Sequence, residues 1–219
     1  ARGLAARIPM ETEQVLGQQV LSWFDDESWL RPSQLDFERR EKIRKTFDRL
    51  CEGLSFESFY HLEMRSGRLF GPNALALPGG IIVLTDELVA LADSTDDIAA
   101  VLAHEVGHVE LRHAMRGVLQ NSIVAIAVAA VTADAANIGT AVAGLPAVLA
   151  QTKYSREFET DADEFAFDLL QRKGRSPEAF ASIMTKLSEK NGSRAVGFHY
   201  LSTHPATTER INNAVDATR

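Results

Sequence analysis

Apolar positions in "LDFERREKIRKTFDRLCEGL" recur at helical spacing: Leu35, Phe37, Ile43, Phe47, Leu50 and Leu54 stand among charged residues. That pattern predicts a helix with one buried face and one solvated face. Residues 11–53 read as helical, with Gly53 as a stop. From residue 58 the period shortens. "FYHLEMR" alternates and is aromatic, "SGR" turns the chain, and "NALAL" and "IIVLT" follow as short apolar strands parted by "PGG". These predict a small antiparallel sheet, in which Pro78 marks an edge strand. Helix signals return at Thr85, with Asp86 and Glu87 in a first turn, and at Ser94, with Asp97 three positions on. Residues 118–150 are rich in Ala and Val, have little polar patterning, and predict either a mobile or partly apolar excursion near a cleft or a plain buried helical hairpin. Helices are expected from Ser155 to Gly174 and after Ser176–Pro177, and the chain closes with a loop and a short helix.

This order of elements predicts one α+β domain over 1–219. Its parts are an N-terminal helical region to about residue 55, a small sheet at 56–85, and helices with a C-terminal loop at 86–219. At 219 residues and 45% apolar composition the chain is large enough for one sizeable core. A net charge of -7 argues against nucleic acid as a partner. The lone Cys51 cannot form an internal disulfide and reads as a small buried apolar residue. The chain opens "ARGLAARIPM", without an initiator Met or an apolar signal core, and reads as a processed or partial product. No internal run reaches the roughly 18–20 apolar residues of a spanning helix; the longest, Ile123 to Ala133, is stopped by Asp134.

The sharpest chemical signal is "AAVLAHEVGHVELRH", residues 99–113. His104, Glu105 and His108 spell H-E-x-x-H, and residues four apart on a helix lie within about 40° of one face. Both imidazoles can then reach one ion, with Glu105 beside it to handle a water proton. Gly107 inside this helix is unfavourable by about 1 kcal/mol against Ala, so a close approach of another element is expected there. His113 stands about 140° round a continuous helix from His108, off the metal face. The position a third His would need is Ala114. The third ligand therefore comes from elsewhere. "YSREFETDADEFAF" offers Glu159 and Asp163 on one helical face, the first as a ligand and the second to hold a ligating His through its outer ring nitrogen. Glu157 and Asp161, two positions either side of Glu159, point away from it.

H-E-x-x-H, then S-R-x-x-E-x-x-A-D at Ser155 to Asp163, then His204–Pro205 followed by Glu209–Arg210, resemble the HtpX-like and CAAX-prenyl-protease family of zinc metallopeptidases, within the gluzincins. "NALALPGGIIVLTDELV" is also similar to that family's edge-strand segment. Within the family the chain looks most like the bacterial envelope and mitochondrial Oma-type members, whose catalytic domain is soluble. The resemblance implies a zinc endopeptidase acting on protein or peptide substrates, in envelope or membrane protein quality control. It implies zinc on His104, His108 and Glu159, with Glu105 as general base and later proton donor. His204 would stabilise the oxyanion or occupy the open metal position and hold the enzyme latent. Arg210 would pair with a carboxylate near the site, and the edge at Asn73, Ala74 and Leu75 would take a substrate strand. The location implied is the bacterial cell envelope, with any membrane association through segments outside this chain. A latent, partner-activated metalloprotease acting mainly as a chaperone is the alternative. A deformylase also uses H-E-x-x-H but needs a cysteine ligand in a setting Cys51 lacks.

Overall fold

A computed structural model describes residues 2–68, 70–120, 154–191 and 200–218. Most of the stretch expected to form an apolar excursion lies outside the described residues. Among the described residues a four-stranded sheet has the helix Met10–Asp26 on one face and, on the other, the helix Phe37–Cys51 and the helix that carries H-E-x-x-H, so the α+β expectation holds.

The helical N-terminal region divides into two helices, Met10–Asp26 and Phe37–Cys51. The second starts where the Asp36 carboxylate accepts a hydrogen bond from the Arg39 amide. Between them Arg31 and Pro32 form a strand, β1, against β2. Two residues carry no readable periodicity, so sequence spacing gave no sign of it. Cys51 is buried in the apolar core, as expected.

The sheet is mixed rather than antiparallel. Its other strands are β2 (His61–Ser66), β3 (Ala74–Ala76) and β4 (Ile81–Thr85), in the order β1-β2-β4-β3. β4 pairs antiparallel with β3 but parallel with β2, from His61↔Ile81 to Arg65↔Thr85. The reason lies in the composition of "IIVLT". Every residue of β4 is buried, with Ile82 and Leu84 facing the motif helix and Ile81 and Val83 facing Val20, Leu21 and Phe24. A strand apolar on both faces belongs inside a sheet with cover on each side. The short β3 is left at the edge, followed by a turn at Pro78–Gly80. Gly79 has φ 76°, and a Cβ there would strike the backbone of Gln14 in the N-terminal helix.

The motif helix, Thr95–Glu110, begins at Ser94, whose hydroxyl accepts from the Asp97 amide. Asp97 in turn accepts from the Asp93 amide and from Lys186 Nζ. Every residue from Asp97 to Val109 is buried. One side meets the sheet and the Phe37–Cys51 helix; the others meet the acidic helix Arg156–Arg172 and the Glu178–Asn191 helix. The acidic helix is capped by Ser155, whose Oγ accepts from the Phe158 amide.

Gly107 is where the motif helix and the acidic helix touch. An added Cβ would lie 3.0 Å from the Ala162 carbonyl oxygen and 3.2 Å from Ala162 Cα. Gly→Ala inside a helix normally stabilises by about 1 kcal/mol. Gly107→Ala is expected to reverse that sign, by pushing the acidic helix and its Glu159 away from the two histidines. A lowered melting temperature checks this; a raised one contradicts it.

Candidate metal centre

His104 and His108 sit one turn apart on the motif helix, with Nε2 atoms 3.0 Å from each other. The acidic helix brings Glu159 opposite them, its Oε1 3.4 Å from His108 Nε2 and its Oε2 3.7 Å from His104 Nε2. After the short helix Tyr200–Thr203, His204 enters from the far side. Its Nδ1 lies 3.3 Å from His104 Nε2 and 3.0 Å from Glu159 Oε1. These four buried side chains each offer one donor atom within 4.8 Å of the others. A tetrahedral zinc with donors at about 2.0–2.1 Å would space them by about 3.3 Å. Three nitrogens and one carboxylate oxygen at these separations fit such an ion.

Asp163 stands behind His104, its Oδ1 2.9 Å from Nδ1. A proton on Nδ1 leaves the Nε2 lone pair facing the cluster. Asp163 is itself gripped by Arg210, whose Nε and Nη2 donate to its two oxygens at 2.6 and 2.7 Å. Arg210 Nη1 also lies 2.7 Å from Glu159 Oε2 and donates to the Pro205 carbonyl at 2.9 Å. One guanidinium thus fixes Glu159, the carboxylate behind His104, and the loop bearing His204. Arg210 is placed by its own helix, Thr208–Asp216, capped by Thr207.

Glu105 is fully buried, and neither carboxylate oxygen has a hydrogen-bond partner among the described residues. Its Oε1 is 3.7 Å from His204 Nε2. An anionic side chain buried without a partner is costly unless a proton, water or cation completes it.

Burial lowers the pKa of His104 against the pull of Asp163 and Glu159, and lowers that of His108 to about 4. Both rings are therefore neutral at pH 7, the form that binds metal. Burial alone would raise Glu159, but His204, His108 and His104 hold it well below the carboxylate range. Asp163 is likewise kept low, despite burial, by Arg210 and His104. His204 goes the other way: burial lowers it, but Glu159 and Glu105 prevail and raise it.

Sequence spacing set His113 aside, and it does not join the four donors. Its ring nevertheless reaches the site from behind. The motif helix stops at Glu110, Arg112 takes φ 54°, and a new helical segment begins at residue 113. His113 Nδ1 comes to 2.9 Å from His108 Nδ1. Asp161, expected to point clear of the site, lies with its carboxylate 3.9 Å from His113 Nε2. Glu157 is exposed, as the helical-face reading requires. Two tyrosines were also not singled out: Tyr154 stacks on His108 at 4.1 Å and Tyr200 on His204 at 4.6 Å. The spacing of Tyr200 four before His204, on a helical turn, is the one signal that pointed to such a pair.

The edge strand is closer to the core than expected. Asn73, Ala74 and Leu75 are all buried. The Asn73 amide donates to Thr85 Oγ1 at 2.8 Å and its carbonyl accepts from the Thr85 amide at 3.0 Å. Leu77 likewise bonds Ile81. By the alternation of an antiparallel ladder, the backbone groups turned away from β4 are those of Ala74 and Ala76. His61 is exposed on β2, and Cys51 contributes no atom to the four-donor cluster.

A model of peptidase family M48 matches residues 39–218. Metalloprotease LoiP of Escherichia coli (strain K12) is 30% identical over 152 residues, covering 66% of this chain and 58% of that protein. Mitochondrial metalloendopeptidase OMA1 of Saccharomyces cerevisiae is 30% identical over 149 residues, covering 65% and 42%. The beta-barrel assembly-enhancing protease of Yersinia pestis is 29% identical over 152 residues, covering 65% and 31%. The matched part of this chain therefore spans about a third to three-fifths of each relative's length.

Proposed function

The chain belongs to peptidase family M48, and from that premise we propose that it is a zinc-dependent endopeptidase domain acting on protein substrates. The observation that carries this reading is the convergence of His104, His108 and Glu159 beside a buried Glu105 whose carboxylate makes no hydrogen bond among the described residues. A bound zinc would supply Lewis acidity, polarising a scissile carbonyl and lowering the pKa of a water towards about 7. Glu105 takes the proton from the attacking water and delivers it to the leaving amine nitrogen. Asp163, clamped by Arg210, keeps His104 turned toward the ion. Outward backbone groups at Ala74 and Ala76 hold an extended substrate by strand addition. Zinc analysis of the purified chain with a casein-type hydrolysis assay, with and without a chelator, tests the reading. A chain that binds no zinc and cleaves nothing would reject it.

Latency is part of the same reading. His204 lies at ligand distance from both His104 and Glu159, which favours occupation of the fourth position over an oxyanion role in this conformation. Catalytic sites keep that position open, so His204 must withdraw before a substrate enters. A closed state favoured by about 1.4 kcal/mol leaves only about a tenth of the molecules competent. His204→Ala is therefore expected to raise hydrolysis by about tenfold while zinc is retained. A rate that falls instead would assign His204 to the oxyanion.

The relatives named for mitochondria and for β-barrel assembly support a setting in membrane or cell-envelope protein quality control. Among the described residues no helix is long and apolar enough to cross a membrane.

A further inference from the structure

We propose that His113 is a positioning residue for His108: its ring accepts the Nδ1–H of His108 and so fixes the Nε2 lone pair on the ion site. The inference rests on the zinc reading above but concerns a residue that the donor cluster leaves out.

The two Nδ1 atoms are 2.9 Å apart, a distance for one shared proton between two neutral rings. With that proton on His108, its Nε2 is a free donor to the ion. His113 then carries its own proton on Nε2, which faces the Asp161 carboxylate at 3.9 Å. The opposite assignment would put a proton on His108 Nε2, 3.0 Å from His104 Nε2, where it would block the metal. The arrangement parallels the one behind His104, with a difference in charge: His104 is backed by an anion, Asp163, and His108 by a neutral ring. Ligating histidines depend on such outer partners for tautomer and orientation.

The fold holds His113 in place by backbone and by stacking. A continuous helix would have carried it away from His108. Instead, Arg112 adopts a left-handed φ of 54°, and its guanidinium donates to the carbonyls of Ala5 and Ile8 at 2.7 and 2.6 Å. It also pairs with buried Glu13 at 2.5 Å. The N-terminal segment thereby holds the turn that aims His113 at His108. The ring is completely buried and lies flat on Phe158, at 4.2 Å and 3°.

Two substitutions separate the hydrogen bond from the packing. His113→Phe keeps a flat ring on Phe158 and removes the acceptor. His113→Asn removes the ring and keeps an acceptor near the Nδ1 position. Zinc affinity is measured by competition with a chromophoric chelator on the folded chain. His113→Phe is expected to weaken zinc binding by about 10–100-fold, with His113→Asn recovering most of it. Equal affinity for wild type and His113→Phe, or equal loss in both variants, overturns the proposal. A direct measurement on the zinc-loaded wild type needs no variant: nitrogen-15 NMR should show a protonated His108 Nδ1 with a coupling across the hydrogen bond to His113 Nδ1, and absence of that coupling overturns it too. If the wild type itself binds no zinc, the metal site fails rather than His113 alone.

Discussion

Glu105→Gln is expected to leave zinc bound and to remove hydrolysis, by about 10²–10⁴-fold, the range a positioned general base and acid contributes. The amide is nearly the same size as the carboxylate, so the fully buried position can accept it. What it cannot do is take a proton from water and pass it on. The metal donors are other side chains, so metal content should match wild type. The two free carboxylate oxygens add a second expectation. Removing a buried carboxylate charge that makes no hydrogen bond, and whose one charged neighbour is His204 at 3.7 Å, should cost the fold little, and the melting temperature should stay near wild type. Measured zinc, peptidase rate and thermal midpoint on one preparation decide it; more than a few per cent residual activity in a clean preparation would sink Glu105 as the base.

The second large effect is expected at Glu159. Glu159→Gln removes the only anionic donor from the cluster and leaves Arg210 Nη1 facing an amide at a 2.7 Å contact. Zinc binding should fall further than in Asp163→Asn, for which about 10–100-fold is expected from loss of the group behind His104. Glu157→Gln, on the exposed face, should keep zinc at the wild-type level. Parallel zinc titrations of the three variants provide the ranking. A loaded Glu159→Gln beside an empty Glu157→Gln would refute the assignment of the carboxylate ligand.

What was legible in the sequence followed from local geometry. H-E-x-x-H needs only the pitch of one helix to place His104 and His108 together, and Glu159 with Asp163 needs only the pitch of another. Gly107 announced a close contact because nothing local rewards a glycine inside a helix, and the Ala162 backbone is what it meets. The caps at Ser94 and Ser155 were equally local.

His113 stays out of the donor set, as expected, but its contact with His108 was not legible because its position depends on where a helix ends. No glycine marks that end, and the left-handed Arg112 is stabilised by carbonyls and a carboxylate about a hundred residues earlier in the chain. The sheet failed in a related way: antiparallel order follows if neighbours in sequence are neighbours in space, but β4 is apolar on both faces and takes the inner place.

The order of residues alone makes the available chemistry legible: two histidines and a glutamate on one helix, a glutamate and an aspartate on a second, a histidine and an arginine near the end. The first two sets follow from short-range spacing on a single helix, whereas His204 and Arg210 stand on either side of the loop before the last helix. Long-range packing is what ties Asp163 to Glu159 through Arg210, brings His204 against His104 and Glu159, and sets His113 beside His108. Those contacts join residues whose separation along the chain carries no periodic signal, or cross a turn held from elsewhere. They exist because burial forces each charged or ring nitrogen group to find a partner from whatever element packs beside it.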